Sequence, residues 1–552
     1  ARPPKVVATS DTLSSDNSVP SGNLEYILKN LLSDVLKLDP TQIEQDVTLS
    51  EYGIDSITTA SFITKLNAEC GTELSTTLLY DYPTLAELKY ALSTMHLPLV
   101  APTQPSEPFP SAPTTSEVSY CGTDIAIIGL SLEVPQARTA DAFWELLKDG
   151  RVTTGPIPQE RVSQSMTGTC NAGVMSKRDW FDPLFFNISP KEAKEMSPYQ
   201  RLTLKEAWRC LESAGINPKT LSKSKTGVFI GAEPASFDKT SLTGGSEALI
   251  AARISYFLNL RGPAFVVNTG CSSSGVALHQ ACENLRRRES DLALAGGIFT
   301  DVGDEVLRLL AGIGMLSPNG RCRPFSAQSD GTIISEGVGL VALKRLKDAM
   351  ADGDPIRAVI RASGVNQDGA SNGITSPNGT AQEALLRNVY DTFKISASQI
   401  ELIEAHGTGT MLGDPIEVNA LSRVLEPTKR EQGVHLGTAK ANIGHTSAAS
   451  GVIGLIKLVL SMEHKMIPGL PEFDRFNPKI DPMGWQISAT SQSWQKAPGN
   501  LRLAALSSFG HSGTNTHFVV QEAPLDAPVT SEAMQLVPLS AKQGGQLQAQ
   551  AE

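Results

Sequence analysis

The feature that most constrains this chain is a stretch with little means to bury anything. From Pro98 to Tyr120, prolines stand at 98, 102, 105, 108, 110 and 113, among few apolar residues. Proline fixes φ and removes a backbone donor, so the segment reads as extended polyproline geometry rather than helix or sheet. At about 3.1 Å per residue it spans roughly 70 Å when fully extended. The chain is therefore expected to fold as two separate units on a long tether, a small one before residue 98 and a large one after residue 120. Tethering of this kind holds one unit near the other at an effective concentration on the order of millimolar.

The small unit, residues 22–97, follows a lead-in over 1–21 that is rich in Ser, Pro, Asp and Thr and reads as disordered. Leu24, Ile27, Leu28, Leu31, Leu32, Val35 and Leu36 recur at helical spacing and predict one apolar helix stripe. A second helix is expected from Ser56 and a third near Thr84, after Tyr82-Pro83. Between the first two, Glu51-Tyr52-Gly53-Ile54-Asp55-Ser56-Ile57 forms a turn that delivers Ser56 to a helix start. A helix cap is by itself a sufficient local reason for Asp-Ser there.

Strand-like runs alternate with helical ones over residues 121–525: Asp124 to Leu130, Thr226 to Gly231, Leu292 to Gly297, Gly339 to Leu343. That alternation predicts an α/β architecture. Within it, Ala264-Phe265-Val266-Val267 reads as a short buried strand, and Val276 to Cys282 carries helical spacing. Cys271, in Asn268-Thr269-Gly270-Cys271-Ser272-Ser273-Ser274-Gly275, sits at the junction. Unpaired amides and the positive end of the helix dipole favour thiolate there, which suits a nucleophile; a buried structural cysteine is the alternative. Two of the eight histidines fall in similar Gly/Thr-rich turns: His406 in Glu404-Ala405-His406-Gly407-Thr408-Gly409-Thr410, and His445 in Lys440-Ala441-Asn442-Ile443-Gly444-His445-Thr446, just before the apolar run Gly451 to Leu460.

The 552 residues carry a net charge of −11, which argues against nucleic acid as a partner. The densest basic run, Arg286-Arg287-Arg288, reads as a solvated helix face or as a docking contact for an acidic protein. Seven scattered cysteines without a CxxC pair fit reduced thiols and give no zinc pattern. No secretory signal or apolar stretch of membrane-spanning length appears, so a cytoplasmic protein without a membrane span is expected. The absence of an initiating methionine and the Gln548-Ala549-Gln550-Ala551-Glu552 terminus suggest a piece of a longer polypeptide.

Several further segments occur in order: Phe181-Asp182 through Ser189-Pro190, Gly320-Arg321-Cys322-Arg323-Pro324-Phe325, Val365-Asn366-Gln367-Asp368-Gly369 and Pro377-Asn378-Gly379. Together with the Cys271, His406 and His445 motifs, they make the chain resemble a modular type I polyketide synthase fragment, an acyl carrier protein followed by a β-ketoacyl synthase. The resemblance implies a small all-α four-helix carrier domain over 22–97 bearing 4′-phosphopantetheine on Ser56, the Pro-rich linker 98–120, and a synthase over 121–525. The synthase is expected to have the thiolase fold, two similar βαβαβ halves in a five-layered α/β/α/β/α core, although no internal sequence repeat is visible. Residues 526–552, with Leu536-Val537-Pro538-Leu539-Ser540-Ala541-Lys542, resemble the start of a post-synthase linker.

The implied activity is an acyltransferase of the condensing type, used in polyketide and antibiotic biosynthesis. Cys271 takes the acyl chain from the upstream carrier, and His406 and His445 assist decarboxylation of a malonyl-type extender. Lys440 supports the histidine pair by its charge, while Thr408 and Thr410 contact the pantetheine arm. Backbone amides of Cys271 and of His511 form the oxyanion hole. Implied partners are a second copy of the chain in a homodimer, a downstream or external carrier protein with the extender, a phosphopantetheinyl transferase, and an acyltransferase acting in cis or in trans. The alternative is a non-elongating or diverted synthase, serving as an acyl-transfer gate or branching domain.

Four positions depart from the family pattern. Where the family commonly has Asp-Thr-Ala-Cys-Ser-Ser-Ser and then a larger apolar residue, this chain has Asn268, Gly270 and Gly275. Where it has Phe-Gly-Phe-Gly-Gly-Thr-Asn, the chain reads Phe509-Gly510-His511-Ser512-Gly513-Thr514-Asn515. Asn268 removes a charge beside the nucleophile, the glycines are expected to remove volume and loosen the backbone, and His511 adds a third imidazole. A polar acyl chain or a modified condensation is the implied consequence.

Overall fold

The computed structural model describes residues 21–36, 39–52, 56–70, 74, 78–94, 123–163, 171–234, 237, 241–496 and 501–524, with 545, 547 and 548. The whole tether, nearly all of the expected lead-in and post-synthase segment, and residues 53–55 of the turn expected before Ser56 lie outside the described residues.

In the small unit, α1 (Ser21–Leu36), α2 (Ser56–Cys70), the single turn α3 (Leu78–Asp81) and α4 (Leu85–Thr94) follow one another. Leu28 and Leu32 from the predicted stripe are fully buried, against Phe62, Leu66, Leu79, Leu85 and Leu88. The start of α4 is a capping box. Thr84 Oγ1 accepts from the Glu87 amide at 3.2 Å, and Glu87 Oε2 accepts from the Thr84 amide at 3.2 Å. The side-chain amide of Asn372 in the large unit donates to the Leu79 carbonyl of α3.

The large unit repeats one chain path twice. First come β1 (Ile125–Glu133), α5 (Pro198–Ser213), β2 (Thr226–Ala232), α6 (Ala248–Leu258), β3 (Ala264–Val267), α7 (Ser273–Arg286), β4 (Leu292–Phe299) and β5 (Gly337–Arg345). The second pass comprises β6 (Ala358–Gln367), α8 (Gly379–Phe393), β7 (Leu402–Glu404), α9 (Gly413–Leu425), β8 (Val434–Gly437), α10 (Ser450–Glu463), the short β9 (Trp485–Gln486), β10 (Leu503–Phe509) and β11 (Thr514–Glu522). Strand order is β1-β5-β4-β2-β3 in the first half and β6-β11-β10-β7-β8 in the second, with β9 outside β8. Parallel and antiparallel pairings correspond as well, so the halves share a topology that the sequence does not display. The half-sheets join only where Ile125–Ile127 pair antiparallel with Ala358–Ile360, giving one continuous 11-stranded sheet.

Among the described residues, three large apolar cores pack on this sheet, beside a smaller cluster around Phe299 and Leu307. Helices α5 and α6 cover one side of the first half-sheet through Tyr199, Leu202, Ile250 and Ile254. On the far side of the second, α8 and α9 contribute Leu385, Val389, Val418 and Leu421. Between the half-sheets, α7 and α10 bring Ala277, Leu278, Leu455 and Ile456 against Phe229, Leu343, Leu506 and Phe518. Successive strand residues alternate between cores: Leu292 and Leu294 face outward, Ala293 and Ala295 inward. With both faces covered, a strand reads as an unbroken apolar run, which is why these segments were legible. Helix α10 is buried from Ser450 to Met462, on every face, and its few polar side chains are used inside: Ser450 bonds the Cys271 carbonyl and Lys457 pairs with Glu404.

Two expectations change. The segment Ala264–Val267 is a strand, but it forms the edge of the sheet rather than its interior; Ala264 and Phe265 are exposed, Phe265 by 40%. The basic run is not a uniform solvated face either: the Arg286 guanidinium donates to the Thr123 carbonyl and to Glu283, while Arg287 and Arg288 are exposed at the helix end.

Candidate active site

Cys271 lies between β3 and α7, as its segment predicted, with a relative exposure of 6%. The three serines after it staple the turn. Ser273 Oγ donates to the Gly270 carbonyl at 2.6 Å and accepts from the Thr269 amide at 2.9 Å, while Ser272 Oγ donates to the Thr269 carbonyl at 3.0 Å. Ser274 Oγ accepts from the Val452 amide of α10 at 3.2 Å, tying the two buried helices together. The Cys271 carbonyl accepts from Ser450 Oγ at 2.9 Å and Ser508 Oγ at 3.1 Å, both from the second half. The Cys271 backbone is thus fixed by the opposite half of the unit.

His406 follows β7 and His445 precedes α10, and their rings meet edge-on with centroids 5.6 Å apart. Phe509, at the end of β10, donates its amide to His406 Nδ1 at 3.3 Å. That bond makes Nδ1 the acceptor, which leaves the proton on Nε2. Withdrawal from water, reinforced by the nearby positive charge of Lys440, holds His406 well below the usual imidazole range, so it is neutral. The His445 backbone is clamped by Ile333 and Ser335, but both ring nitrogens are buried with no hydrogen-bond partner among the described residues. Two residues on, Ser447 Oγ is 3.9 Å from Cys271 Sγ and donates to Glu233.

Lys440 heads the short helix Lys440–Ile443 and is buried. Burial lowers its pKa, against the opposing pull of Glu404 and Glu417. Glu404 is paired with Lys457 at 2.6 Å, each 3% exposed, and accepts from the Ala439 amide at 2.7 Å.

Sequence reasoning did not single out the residues that shape the His406 loop. Glu417 accepts from the His406 and Gly407 amides at 2.7 and 2.8 Å, and Asp414 accepts from Gly409 at 3.1 Å and Phe325 at 2.7 Å. Burial pushes Glu417 up to about 7 and Asp414 up to about 6. The available signal was Gly413-Asp414-Pro415-Ile416-Glu417, with Asp414 in the first turn of the following helix and Glu417 just beyond it. Phe325 sits at φ +61° with its side chain fully buried, and its ring occupies the space a Cβ on Gly407 would need. Such strain persists only where surrounding structure enforces it. Thr408 is buried with its hydroxyl 3.2 Å from that of Thr410, and Thr410 Oγ1 accepts from the Gly413 amide at 3.2 Å, so Thr410 also shapes the start of α9.

The departing residues prove to be paired. A Cβ on Gly270 would lie 2.5 Å from His511 Cε1 and Nδ1, and a Cβ on Gly275 would lie 2.3 Å from Thr516 Oγ1. The missing volume is refilled from the β10–β11 hairpin, so the segment is packed rather than loosened. Asn268 Oδ1 accepts from the Gly270 amide at 3.0 Å, closing a local turn. His511 Nδ1 stands 3.9 Å from Cys271 Sγ. The fold therefore brings Cys271, His406, Lys440, His445 and His511 to one place; Ser56 heads α2 in the small unit.

Comparison with known proteins identifies the family. Residues 122–349 match the N-terminal domain of the β-ketoacyl synthases, 357–474 their C-terminal domain, and 27–91 a phosphopantetheine attachment site. The first match spans the first structural half, and the second starts with the second half but ends before β9, β10 and β11. Polyketide synthase PksL of Bacillus subtilis is 36% identical over 95% of this chain and 13% of its own length. Polyketide synthase GfsA of Streptomyces halstedii is 38% identical over the whole chain and 8% of its own. This chain thus spans about a tenth of those relatives. Among solved structures, the ketosynthase from module 6 of the Bacillus subtilis bacillaene synthase aligns with a TM-score of 0.72 at 40% identity, covering 78% of this chain and 75% of that one. The oxazolomycin ketosynthase domain OzmH KS7 of Streptomyces albus aligns with a TM-score of 0.72 at 33% identity, covering 77% and 79%.

The chain belongs to the β-ketoacyl synthase family, in the carrier-then-synthase arrangement of modular polyketide synthases. It is a condensing enzyme of the acyltransferase class, with the thiolase-like mixed α/β fold, and its carrier domain takes a covalently attached 4′-phosphopantetheine. Among the described residues, no helix is long and apolar enough to cross a membrane.

Proposed function

We propose that the synthase extends a polyketide chain by decarboxylative Claisen condensation, using Cys271 as nucleophile and His406 with His445 as the decarboxylating pair. The observation that carries this reading is His445: two buried ring nitrogens without partners, edge-on to a neutral His406. Unsatisfied buried donors are costly, and a substrate oxygen relieves that cost. Cys271 Sγ attacks the carbonyl carbon of the incoming thioester, a C–S bond forms, and the departing thiol leaves an acyl-enzyme. Neutral imidazoles then donate to the extender's thioester oxygen as carbon dioxide departs and enolate charge develops. The carbanion attacks the acyl carbon and Cys271 leaves as thiolate. Lys440 supplies positive charge, Thr408 and Thr410 line the approach, and the amides of Cys271 and His511 serve as the oxyanion hole.

Ser56 is the proposed attachment serine. As the first residue of α2 it places a phosphodiester at a helix N-terminus, which suits an anion. When attached there, the arm supplies a thiol that carries acyl groups as thioesters. Helices α1 to α4 support a four-helix carrier, and three apolar cores around two half-sheets support the five-layered α/β/α/β/α reading. An exposed edge strand of apolar residues is a template for pairing with another copy, so β3 and Phe265 support a homodimer. Phe265→Lys should then shift sedimentation toward monomer. A cytoplasmic setting, a phosphopantetheinyl transferase, a second carrier bearing a malonyl-type extender and an acyltransferase in cis or in trans complete the proposed reaction system.

Intact-mass analysis tests the central claim. After loading with an acyl thioester, addition of a malonyl carrier protein should add a two-carbon unit with release of carbon dioxide. Acylation without extension would support the diverted alternative instead.

A further inference from the structure

We infer that His511 is the proton acceptor for acyl transfer onto Cys271, a role separate from that of the two buried histidines. The inference rests on the condensing reading above and assigns one of its steps.

The other imidazoles are committed. His406 Nδ1 accepts from the Phe509 amide, and the unpartnered nitrogens of His445 lie deep beside it. His511 stands at the exposed side of the thiol, on the turn between β10 and β11, with Nδ1 3.9 Å from Sγ. That distance is held from both sides. Ser512 Oγ donates to the Thr269 carbonyl at 3.0 Å, Gln367 Nε2 donates to the Ser512 carbonyl at 2.9 Å, and Gly513 donates to the Gly510 carbonyl at 2.8 Å. Gly510 itself has no room for a side chain, since a Cβ would meet the Thr269 carbonyl oxygen at 2.2 Å. The imidazole fills the space that Gly270 leaves, so the glycine is the condition for the ring's position. A ring clamped beside the thiol and open to solvent is poised to pass protons between Sγ and an arriving or departing thiol.

The step balances within the site. As the bond from Sγ to the carbonyl carbon forms, the S–H proton passes to His511 Nδ1. The tetrahedral oxyanion collapses by breaking the bond from that carbon to the donor's sulfur, and the imidazolium returns its proton to the departing sulfur. The titratable and charged groups on neighbouring elements are Cys271 itself, Asp368 tied to Asn515 at 2.6 Å, His406 bonded to Phe509, Lys440, and Glu233 bonded to Ser447.

Single-turnover acylation of the full chain by acetyl-pantetheine, followed by intact mass across pH 5.5 to 8.5, tests the assignment. His511→Phe and His511→Gln should both slow acylation on the order of a hundredfold and change the shape of the acylation pH profile in the same way. Malonyl-thioester decarboxylation should fall by a much smaller factor. An unchanged pH profile and rate in both variants would sink the proposal, as would equal losses in acylation and decarboxylation, which mean a merely structural ring. Failure of the wild-type chain to acylate at all would overturn the condensing reading with it, whereas acylation that ignores His511 overturns this step alone.

Discussion

The two halves of the synthase follow the same strand order, yet the turn before each buried helix is used differently. Ahead of α7 the first half places a thiol, Cys271; ahead of α10 the second half places Lys440 and His445, with His406 arriving from the loop after β7. The repeated topology thus supplies two helix starts, and the two turns differ: in the proposed mechanism one half provides the nucleophile and the other the charge-stabilising groups. The cross-bonds follow the same logic: Ser450 and Ser508 of the second half hold the Cys271 carbonyl of the first. Neither half contains a complete site.

The comparison breaks most sharply at the two key residues. Cys271→Ala should abolish acylation and reduce condensation by more than about a thousandfold while malonyl decarboxylation continues; His445→Ala should do the reverse. If both variants lost both partial reactions equally, the division of labour would be wrong. Partial-reaction kinetics with radiolabelled carbon dioxide and intact mass read the two arms separately.

Next in size is Glu417→Ala, which strands the His406 and Gly407 amides inside the second half. Each unsatisfied buried donor costs about 1–3 kcal/mol, so we expect a clear drop in melting temperature and about a tenfold loss of decarboxylation with acylation less affected. A smaller effect probes the seam. Gly275→Ala brings a Cβ against Thr516 Oγ1 and should cost about 1–3 kcal/mol by overpacking. Thr516→Ala should rescue most of it in the double variant; additive losses in chemical denaturation would show that the two positions are not coupled.

The smallest effect concerns acid. His517 lies in the second half, with Tyr390 Oη 3.0 Å from Nε2 and Ser507 Oγ 3.0 Å from Nδ1, and burial drives its pKa down to about 3. The unfolded chain takes up a proton below the ordinary value of 6.5, whereas the folded chain resists until about 3. Stability is therefore lost as pH falls through that window, by about 1.4 kcal/mol per unit from this group. Glu417 runs the other way: its raised pKa favours the folded state at low pH and loses that contribution as pH rises from 4.5 to about 7. Melting curves of wild type and His517→Gln between pH 6.5 and 5 should converge as acid is added; parallel curves would show that His517 is not the acid-sensitive group.

Much of the architecture is written locally. Apolar runs with two covered faces announce the strands, a helical stripe announces α1, the proline segment separates the units, and Gly/Thr-rich turns mark Cys271, His406 and His445. These signals survive in sequence because each depends on residues a few positions apart. The repeat is invisible there, since topology requires only that each strand and helix be apolar on the correct faces, not that residues match between halves. Nor does sequence show that Ala264–Val267 is an edge, because an apolar strand awaiting a partner reads like one already buried. The pairing of Gly270 with His511 and of Gly275 with Thr516 joins positions about 240 residues apart. Only the packing of one half against the other decides that those absences of side chain are filled, and that the imidazole stands beside the thiol.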